Sequence, residues 1–237
     1  MAGHSKWANI KHKKAKEDAA RGKSFTKLVK EITVAAKEGG DLIGNPRLRT
    51  LVDKAKSINM PQDNIKRAIQ KGTGELPGVT YEAFTYEGYG PNGIAVIVEV
   101  LTDNKNRAAA ELRHTFSRKG GNLSENGSVS WMFSQKGVIK GTGLKLSEDE
   151  LLEKLLDFDV DDIERSEDLF IITCALKALG EVRDELVRLG MKVDDANIEW
   201  VPKDPTDLDD SQSESVIEFL EALDELDDIQ NVYSNLA

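Results

Sequence analysis

The sequence predicts a multidomain protein of mixed α and α+β class. Its 237 residues exceed the usual size of one domain. Net charge divides the chain into three parts: +10 over residues 1–71, zero over residues 72–140 and −20 over residues 141–237. Apolar residues follow a helical period before residue 72 and alternate as in strands after residue 80. We therefore predict an N-terminal helical bundle, an α+β middle domain and an inserted ferredoxin-like (βαββαβ) domain.

Composition excludes several classes of protein. Gly and Pro, at 19 and 6 residues, are too few for a collagen-like chain, and 39% hydrophobic residues are too many for a wholly disordered one. The longest apolar stretch, residues 94–101, falls far short of the roughly 20 residues of a membrane span. A lone Cys174 cannot form an intrachain disulfide, so we expect a cytoplasmic location.

The first segment is a basic arm that we expect to become ordered on a polyanion. Residues 5–23 carry seven Lys and Arg, with only Trp7 and Ile10 as sizeable apolar groups. Trp7 either stacks on a base or pins the arm to its own domain, and the sequence leaves both open. The nucleic-acid contacts predicted here are Lys6, Trp7, Lys11, His12, Lys13, Lys14, Lys16, Arg21 and Lys23.

Three helices are predicted next, and with the arm they form a domain over residues 1–76. The first begins at Ser24, the second follows the capping residue Asn45, and the third opens at Pro61. The last two form a hairpin that is either a packing unit or a DNA-reading helix-turn-helix. Base-reading candidates are Gln62, Asn64, Lys66 and Arg67, and the predicted nucleic-acid surface includes Arg47, Arg49, Lys66 and Arg67.

The middle domain is predicted over residues 77–130 plus 205–237. Strands over 81–86 and 94–101 flank a glycine-rich loop, and a helix over 105–119 precedes a second such loop at 120–127. The first loop is either an ordinary hairpin turn or a segment that approaches a partner closely. Candidate functional loop residues are Glu87, Gly88, Tyr89, Gly90, Gly120, Gly121 and Asn122.

The inserted domain is predicted over residues 131–204. Strands and helices alternate there in the order βαββαβ, which is the ferredoxin-like pattern. The remaining helix over 211–226 and strand over 229–233 cannot form a domain alone. We therefore expect the last strand to complete the sheet of the middle domain.

No catalytic or cofactor motif is present. The chain has no P-loop, no GxGxxG between a strand and a helix, and no HExxH. His4, His12 and His114 are too scattered for a zinc site, and the carboxylates at 159–164 fit a solvated edge better than a metal site. We predict a non-enzymatic protein without cofactor or metal.

Five motifs in order resemble the YebC/PmpR family. They are MAGHSKWANIKHKKAKEDAARGK at the start, NPRLR at 45–49, EGYGPNG at 87–93, TDNKNR at 102–107 and LRHTFSRKGGNLSENGSVSWMF at 112–133. The resemblance implies the same three domains and a bacterial cytoplasmic regulator of gene expression. Members are described as DNA-binding transcriptional regulators, while a mitochondrial relative is a translational activator and bacterial members are linked to the ribosome.

The residues favour RNA over DNA as the partner. A lysine-rich arm and two glycine-rich loops suit recognition of RNA shape and backbone better than readout of base edges. We therefore predict a monomeric translation factor that binds ribosomal RNA or tRNA, with a promoter-binding transcriptional regulator as the alternative. The acidic C-terminal section is expected to face away from the polyanion or to touch a basic protein surface.

Overall fold

The computed structural model describes Trp7 and residues 22–237, with side chains described for Trp7 and from Ser24 onward. Within this part of the chain lie seven α-helices and two four-stranded antiparallel sheets. The predicted mixed α and α+β class is confirmed.

The first three helices form a bundle. They are α1 (Gly22–Ala35), α2 (Pro46–Ser57) and α3 (Gln62–Thr73). Their apolar faces meet around Ile32 and Leu48, which are fully buried. Asn45 fixes the α1–α2 connection: its side chain accepts a hydrogen bond from the Leu48 amide at 3.0 Å and donates to the Ala35 carbonyl at 2.8 Å. The predicted N-cap therefore also ties the end of one helix to the start of the next.

The middle sheet has the strand order β3-β1-β2-β8. Its strands are β1 (Glu82–Tyr89), β2 (Ala95–Thr102), β3 (Asn122–Ser124) and β8 (Ile229–Ser234). The C-terminal strand pairs with β2, as the sequence predicts. Helices α4 (Lys105–Arg118) and α7 (Asp210–Asp224) enclose the core with one face of this sheet, through Phe116 and Phe219.

Both predicted glycine-rich loops are partly strand. Residues 87–89 continue β1, and β3 pairs with them, so the turn before β2 is only a short 3-10 segment at Pro91–Gly93. Gly88 explains the pairing, since a Cβ there would lie 2.5 Å from the Asn122 carbonyl oxygen and 2.6 Å from Cε1 of Phe116. The absent side chain lets α4 and β3 approach the strand this closely.

The second sheet has the strand order β5-β6-β4-β7. Its elements follow the predicted βαββαβ sequence: β4 (Phe133–Thr142), α5 (Glu148–Lys154), β5 (Val160–Ser166), β6 (Leu169–Cys174), α6 (Leu179–Arg188) and β7 (Lys192–Pro202). Residues 129–132 form a turn before β4, in which the amides of Val129 and Ser130 donate to the Glu87 carboxylate. Cys174 is buried, and burial raises the pKa of its thiol to about 11.

Glu99 joins the two sheets. It lies on the central strand β2, and one carboxylate oxygen accepts a hydrogen bond from the Trp200 indole of β7 at 3.2 Å. Its other oxygen accepts from Asn231 at 3.0 Å and from the Tyr233 hydroxyl at 3.2 Å, both on β8. Burial, followed by the charge of Glu99, raises the pKa of Tyr233 well above its usual value, so the phenol remains a hydrogen-bond donor.

The carboxylate of Asp228 joins the helical bundle to the middle sheet. Lys30 of α1 forms a salt bridge with one oxygen at 2.7 Å, and its side chain and that of Asp228 are only 8% and 5% exposed. The second oxygen accepts from Thr102 and Arg107, each at 2.8 Å. Burial alone would raise the pKa of Asp228, but hydrogen bonds from these three residues lower it, so the carboxylate stays ionised.

Two further ion pairs set acidic residues against the helical bundle. Lys27 contacts Asp224 at 3.0 Å, and Lys54 contacts Asp195 at 3.0 Å. Both carboxylates belong to the acidic section, so part of that section lies against the basic bundle, and its orientation relative to a polyanion stays a prediction. Each is close enough to a lysine of the bundle for the Coulomb attraction to favour contact.

Asp228→Asn is expected to lower the free energy of unfolding by about 3 kcal/mol at neutral pH, because it leaves Lys30 buried without its counter-charge. The folded-state pKa of Asp228 is lowered, so its contribution is present above the unfolded pKa of about 3.9 and is lost as pH falls through the folded pKa. Urea unfolding from pH 7 to pH 3 measures this. Asp227→Asn is the control, since Asp227 is exposed and only its carbonyl contacts Lys30. Equal stability of the two variants at pH 7 would contradict the assignment.

Gly88→Ala is expected to destabilise the protein by about 1–3 kcal/mol through overpacking against β3 and Phe116. Gly180→Ala is the matched control, because nothing lies within 4 Å of a Cβ there and alanine favours helix α6. The urea midpoints should move in opposite directions, or the control should stay unchanged. Equal midpoint shifts in the two variants would show that the close packing around Gly88 does not exclude a side chain there.

Candidate nucleic-acid interface

Four predicted cations lie exposed on helices α2 and α3 of the bundle. Arg47 and Arg49 occupy the first turn of α2, and Lys66 and Arg67 lie in the middle of α3. Among the residues that the structure describes, no Asp or Glu forms a salt bridge with any of them. Arg47 lies near enough to Glu31 of α1 for its charge to oppose the rise in the pKa of that carboxyl, so Arg49, Lys66 and Arg67 are the cations most open to an external anion.

The exposed face of α3 also carries a carboxylate. Ile65 and Ala68 are buried, which turns Lys66 and Arg67 outward together with the base-reading candidates Gln62 and Asn64. Asp63 precedes Lys66 by three residues and Arg67 by four, a spacing that places all three on neighbouring parts of the helix surface. The face is therefore mixed in charge.

Lys27, Lys30 and Lys54 are the lysines of the bundle that contact the rest of the protein. All three are matched by the carboxylates described above. Around Lys54 the pKa values of two acids diverge. Burial raises that of Glu31 despite the nearby lysine, whereas the charges of Lys54 and Lys140 outweigh burial and lower that of Asp195. The ion pair thus favours the charged form of Asp195.

Most of the predicted arm lies outside the described residues. This holds for Lys6, Lys11, His12, Lys13, Lys14, Lys16 and Arg21, and of Lys23 only the backbone, in the first turn of α1, is described. Their role in binding nucleic acid stays a prediction.

Trp7 is buried and not placed for stacking on a base. Its side chain is 3% exposed within the core of the middle sheet, and the indole N–H donates to the Val232 carbonyl at 3.0 Å. The structure thus contradicts Trp7 as a nucleic-acid contact, because the ring and its one donor are already used. It also corrects the alternative, since Trp7 anchors to the middle sheet and not to its own helical bundle.

The candidate loop residues come together at the β1–β3 edge. The buried Glu87 carboxylate accepts hydrogen bonds at 2.8 Å from the backbone amides of Gly127, Val129 and Ser130. Burial raises the pKa of this carboxyl, but the amides outweigh it, so the pKa is lowered. Glu87 and Gly88 thus have structural partners that account for them without a ligand.

The other loop candidates divide between packed and exposed positions. Gly121 packs against the Tyr89 carbonyl, and Gly90 packs against the Phe219 ring. Gly120 and Asn122 are exposed, and Gly120 adopts a left-handed φ of +80° that favours glycine. Only these two are placed to meet a partner directly.

Sequence reasoning missed a large exposed aromatic side chain beside these loops. Trp131 is 66% exposed, and its indole N–H donates to the Ser128 carbonyl at 3.0 Å. The Glu87 carboxylate holds the same turn, so the ring is presented on a fixed backbone. In the sequence, Trp131 belongs to an apolar run that follows a glycine-rich loop. This pattern does not distinguish a buried ring from an exposed one.

The described part of the chain shows neither a metal-binding cluster nor a membrane-spanning helix. Within it, no three His, Cys, Asp or Glu side chains are grouped as a metal ion would require, which includes the carboxylates at 159–164. None of its helices combines the length and apolar character needed to cross a membrane.

Comparison with known proteins places this arrangement in a family. The family profile described as "TACO1/YebC protein N-terminal domain" matches residues 5–75, and "TACO1/YebC second and third domain" matches residues 81–236. Similar proteins named "Probable transcriptional regulatory protein" come from Desulfosudis oleivorans, at 52% identity over 99% of this chain and 96% of that protein, and from Thermotoga maritima, at 50% over 99% and 93%.

A solved structure agrees with these matches. The crystal structure of a conserved hypothetical protein from Aquifex aeolicus has a TM-score of 0.84 and 44% identity, covering 93% of this chain and 91% of that one. Since the two profiles span nearly the whole chain in order and the relatives match it end to end, this chain belongs to the YebC family.

Proposed function

We propose that the protein is a non-enzymatic, nucleic-acid-binding regulator of gene expression, and that it acts in the cytoplasm as a monomeric, ribosome-associated translation factor. Its bundle contacts ribosomal RNA or tRNA through Arg47, Arg49, Lys66 and Arg67, together with the predicted arm. The observation that carries this proposal is the division of the bundle's cations. Lys27, Lys30 and Lys54 each pair with a carboxylate from the C-terminal part of the chain, whereas the four proposed contacts, Arg47, Arg49, Lys66 and Arg67, form no salt bridge in the described part of the chain.

The mixed charge on α3 favours backbone contact with RNA over insertion into duplex DNA. A helix in the major groove lies between the two phosphate backbones of the duplex. A carboxylate on the exposed surface of that helix, such as Asp63, is repelled by these phosphates. RNA presents irregular shapes and single strands, on which a few cations can contact phosphates while an acid faces solvent. The remaining acidic section then faces away from the RNA or touches a basic protein.

The alternative is a transcriptional regulator that uses the same surface on promoter DNA. The relatives from Desulfosudis oleivorans and Thermotoga maritima are named probable transcriptional regulatory proteins, which favours this alternative. The predicted helix-turn-helix hairpin favours it as well, because Gln62, Asn64, Lys66 and Arg67 are exposed.

The proposed domains are residues 1–76, residues 77–130 plus 205–237, and an inserted ferredoxin-like domain over 131–204. Three apolar clusters support this division. They centre on Ile32 and Leu48, on Phe116 and Phe219, and on Phe170, and each lies almost wholly within one proposed domain. Trp7 is the exception, since it belongs to the first segment and packs in the second cluster.

Charge reversal tests the surface. The pairs Arg47→Glu with Arg49→Glu, and Lys66→Glu with Arg67→Glu, should each weaken ribosome binding by about tenfold. Each pair should also reduce the slope of log K against log salt by about 1.4, the value for two phosphate contacts on single-stranded RNA. Co-sedimentation of the full chain with ribosomes at several salt concentrations measures both.

The matched control is Lys145→Glu with Lys177→Glu, two exposed lysines of the second sheet region that give the same change in net charge. This control should change affinity less than twofold. Promoter and random duplex DNA are assayed at the same salt. A preference for promoter DNA of about a thousandfold without ribosome association would support the alternative and reject the translation function.

A further inference from the structure

Helix α4 carries a cationic flank that faces two aromatic rings of β1. Lys105, Ala109 and Arg113 recur every four residues and so follow one side of the helix. The Lys105 ammonium lies 4.8 Å from the centre of the Phe84 ring. Arg113 lies near enough to Tyr86 for its charge to oppose the rise in the tyrosine pKa that burial causes.

The rings lie on a strand edge that is only partly covered. Strand β3 pairs with residues 87–89 alone, so within the described residues no strand pairs with the first five residues of β1 on that side. Phe84 and Tyr86 are two residues apart and therefore face the same side of the sheet, with ring centres 6.5 Å apart. Both side chains are half-buried and pack against the core of the middle sheet, and the Tyr86 hydroxyl is buried, so the exposed part of each residue is a portion of its side chain.

The surface between the edge of β1 at Phe84 and Tyr86 and the side of α4 at Lys105 and Arg113 is called the groove here. Its cations have the sign that attracts phosphate. Lys105 and Arg113 are exposed, and no Asp or Glu of the described chain forms a salt bridge with either. The carboxylates on the two segments lie at its margins: Glu111 extends from the other flank of α4, and Glu82 is the first residue of β1. The rings between these margins therefore face cations.

We propose that this groove binds a single-stranded segment of nucleic acid. Lys105 and Arg113 contact phosphates, and the exposed parts of Phe84 and Tyr86 contact a base or sugar. Aromatic faces beside a row of cations are the combination that single strands require, because their bases are free to leave the stack. The two cations are eight residues apart, about 12 Å along the helix, which corresponds to about three nucleotides at stacked spacing.

The groove begins next to the basic bundle. Arg107, in the first turn of α4, shares the carboxylate of Asp228 with Lys30 of α1, so the two elements are held together. Only the identity of the bound strand as RNA rests on the proposed function, since the groove chemistry is common to RNA and single-stranded DNA.

The test is the variant Lys105→Glu with Arg113→Glu in the full chain, probed with a fluorescent 12-nucleotide oligo(U) and a matching oligo(dT). Binding of oligo(U) should weaken at least tenfold, and the salt slope should fall by about 1.4. The control Lys145→Glu with Lys177→Glu should change affinity less than twofold. Thermal unfolding verifies the fold, and Lys105→Gln with Arg113→Gln replaces the reversal variant if that variant is unstable.

Photo-crosslinking of a 4-thiouridine oligonucleotide locates the contact. Crosslinks within residues 82–118 that disappear in the variant support the groove, and tighter binding of oligo(dT) supports it while assigning the strand to DNA. Unchanged affinity, or crosslinks confined to residues 22–73, overturns it. If wild-type protein binds oligo(U) through the groove but does not sediment with ribosomes, the translation function fails and the groove stands. If wild-type protein sediments with ribosomes but the variant binds oligo(U) as tightly as wild type does, the groove fails and the translation function stands.

Discussion

The carboxylate of Asp228 receives donors from three separate parts of the chain: Lys30 of α1, Thr102 at the end of β2 and Arg107 of α4. A charge with so little exposure is tolerated only when its oxygens are occupied and an opposite charge adjoins it. The geometry is therefore strict, because a shift of the bundle against the sheet would separate a buried lysine from its partner. The orientation of the whole bundle, and of its exposed cations, depends on this contact.

Cations of the bundle thus have two roles, structural pairing or exposure to solvent, and the neighbouring residues determine which. Lys27, Lys30 and Lys54 are neutralised by carboxylates contributed by the acidic part of the chain. Other cations of the bundle meet solvent. The net charge of −10 is consequently a poor guide to binding, since part of the acidic excess is neutralised within the protein. What a partner encounters is the local charge of one surface.

Local signals predicted the order of elements well, because a cap such as Asn45 or a period of apolar residues acts over a few positions. The strand character of residues 87–89 was hidden, since Gly88 contributes no side chain to the alternation and β3 has only three residues. The burial of Lys30 could not be predicted either. Its partner is 198 residues away in sequence, and a lysine on a helix is ordinarily solvated. Trp7 presented two options, and neither is met, because the indole bonds to the Val232 carbonyl of the middle sheet.

The pairing of β8 with β2 has a consequence for the order of synthesis. Strand β2, the Trp7 indole and the Lys30 ammonium all find their partners in residues 228–234, close to the C-terminal end of the sequence. Translation proceeds from the N-terminus, so these groups emerge long before their partners in residues 228–234 exist. The bundle and the second sheet can form from contiguous residues during synthesis, whereas the middle core closes last. A chain interrupted before β8 exposes an apolar strand and an uncompensated lysine, which are features that proteases and chaperones recognise in incomplete proteins.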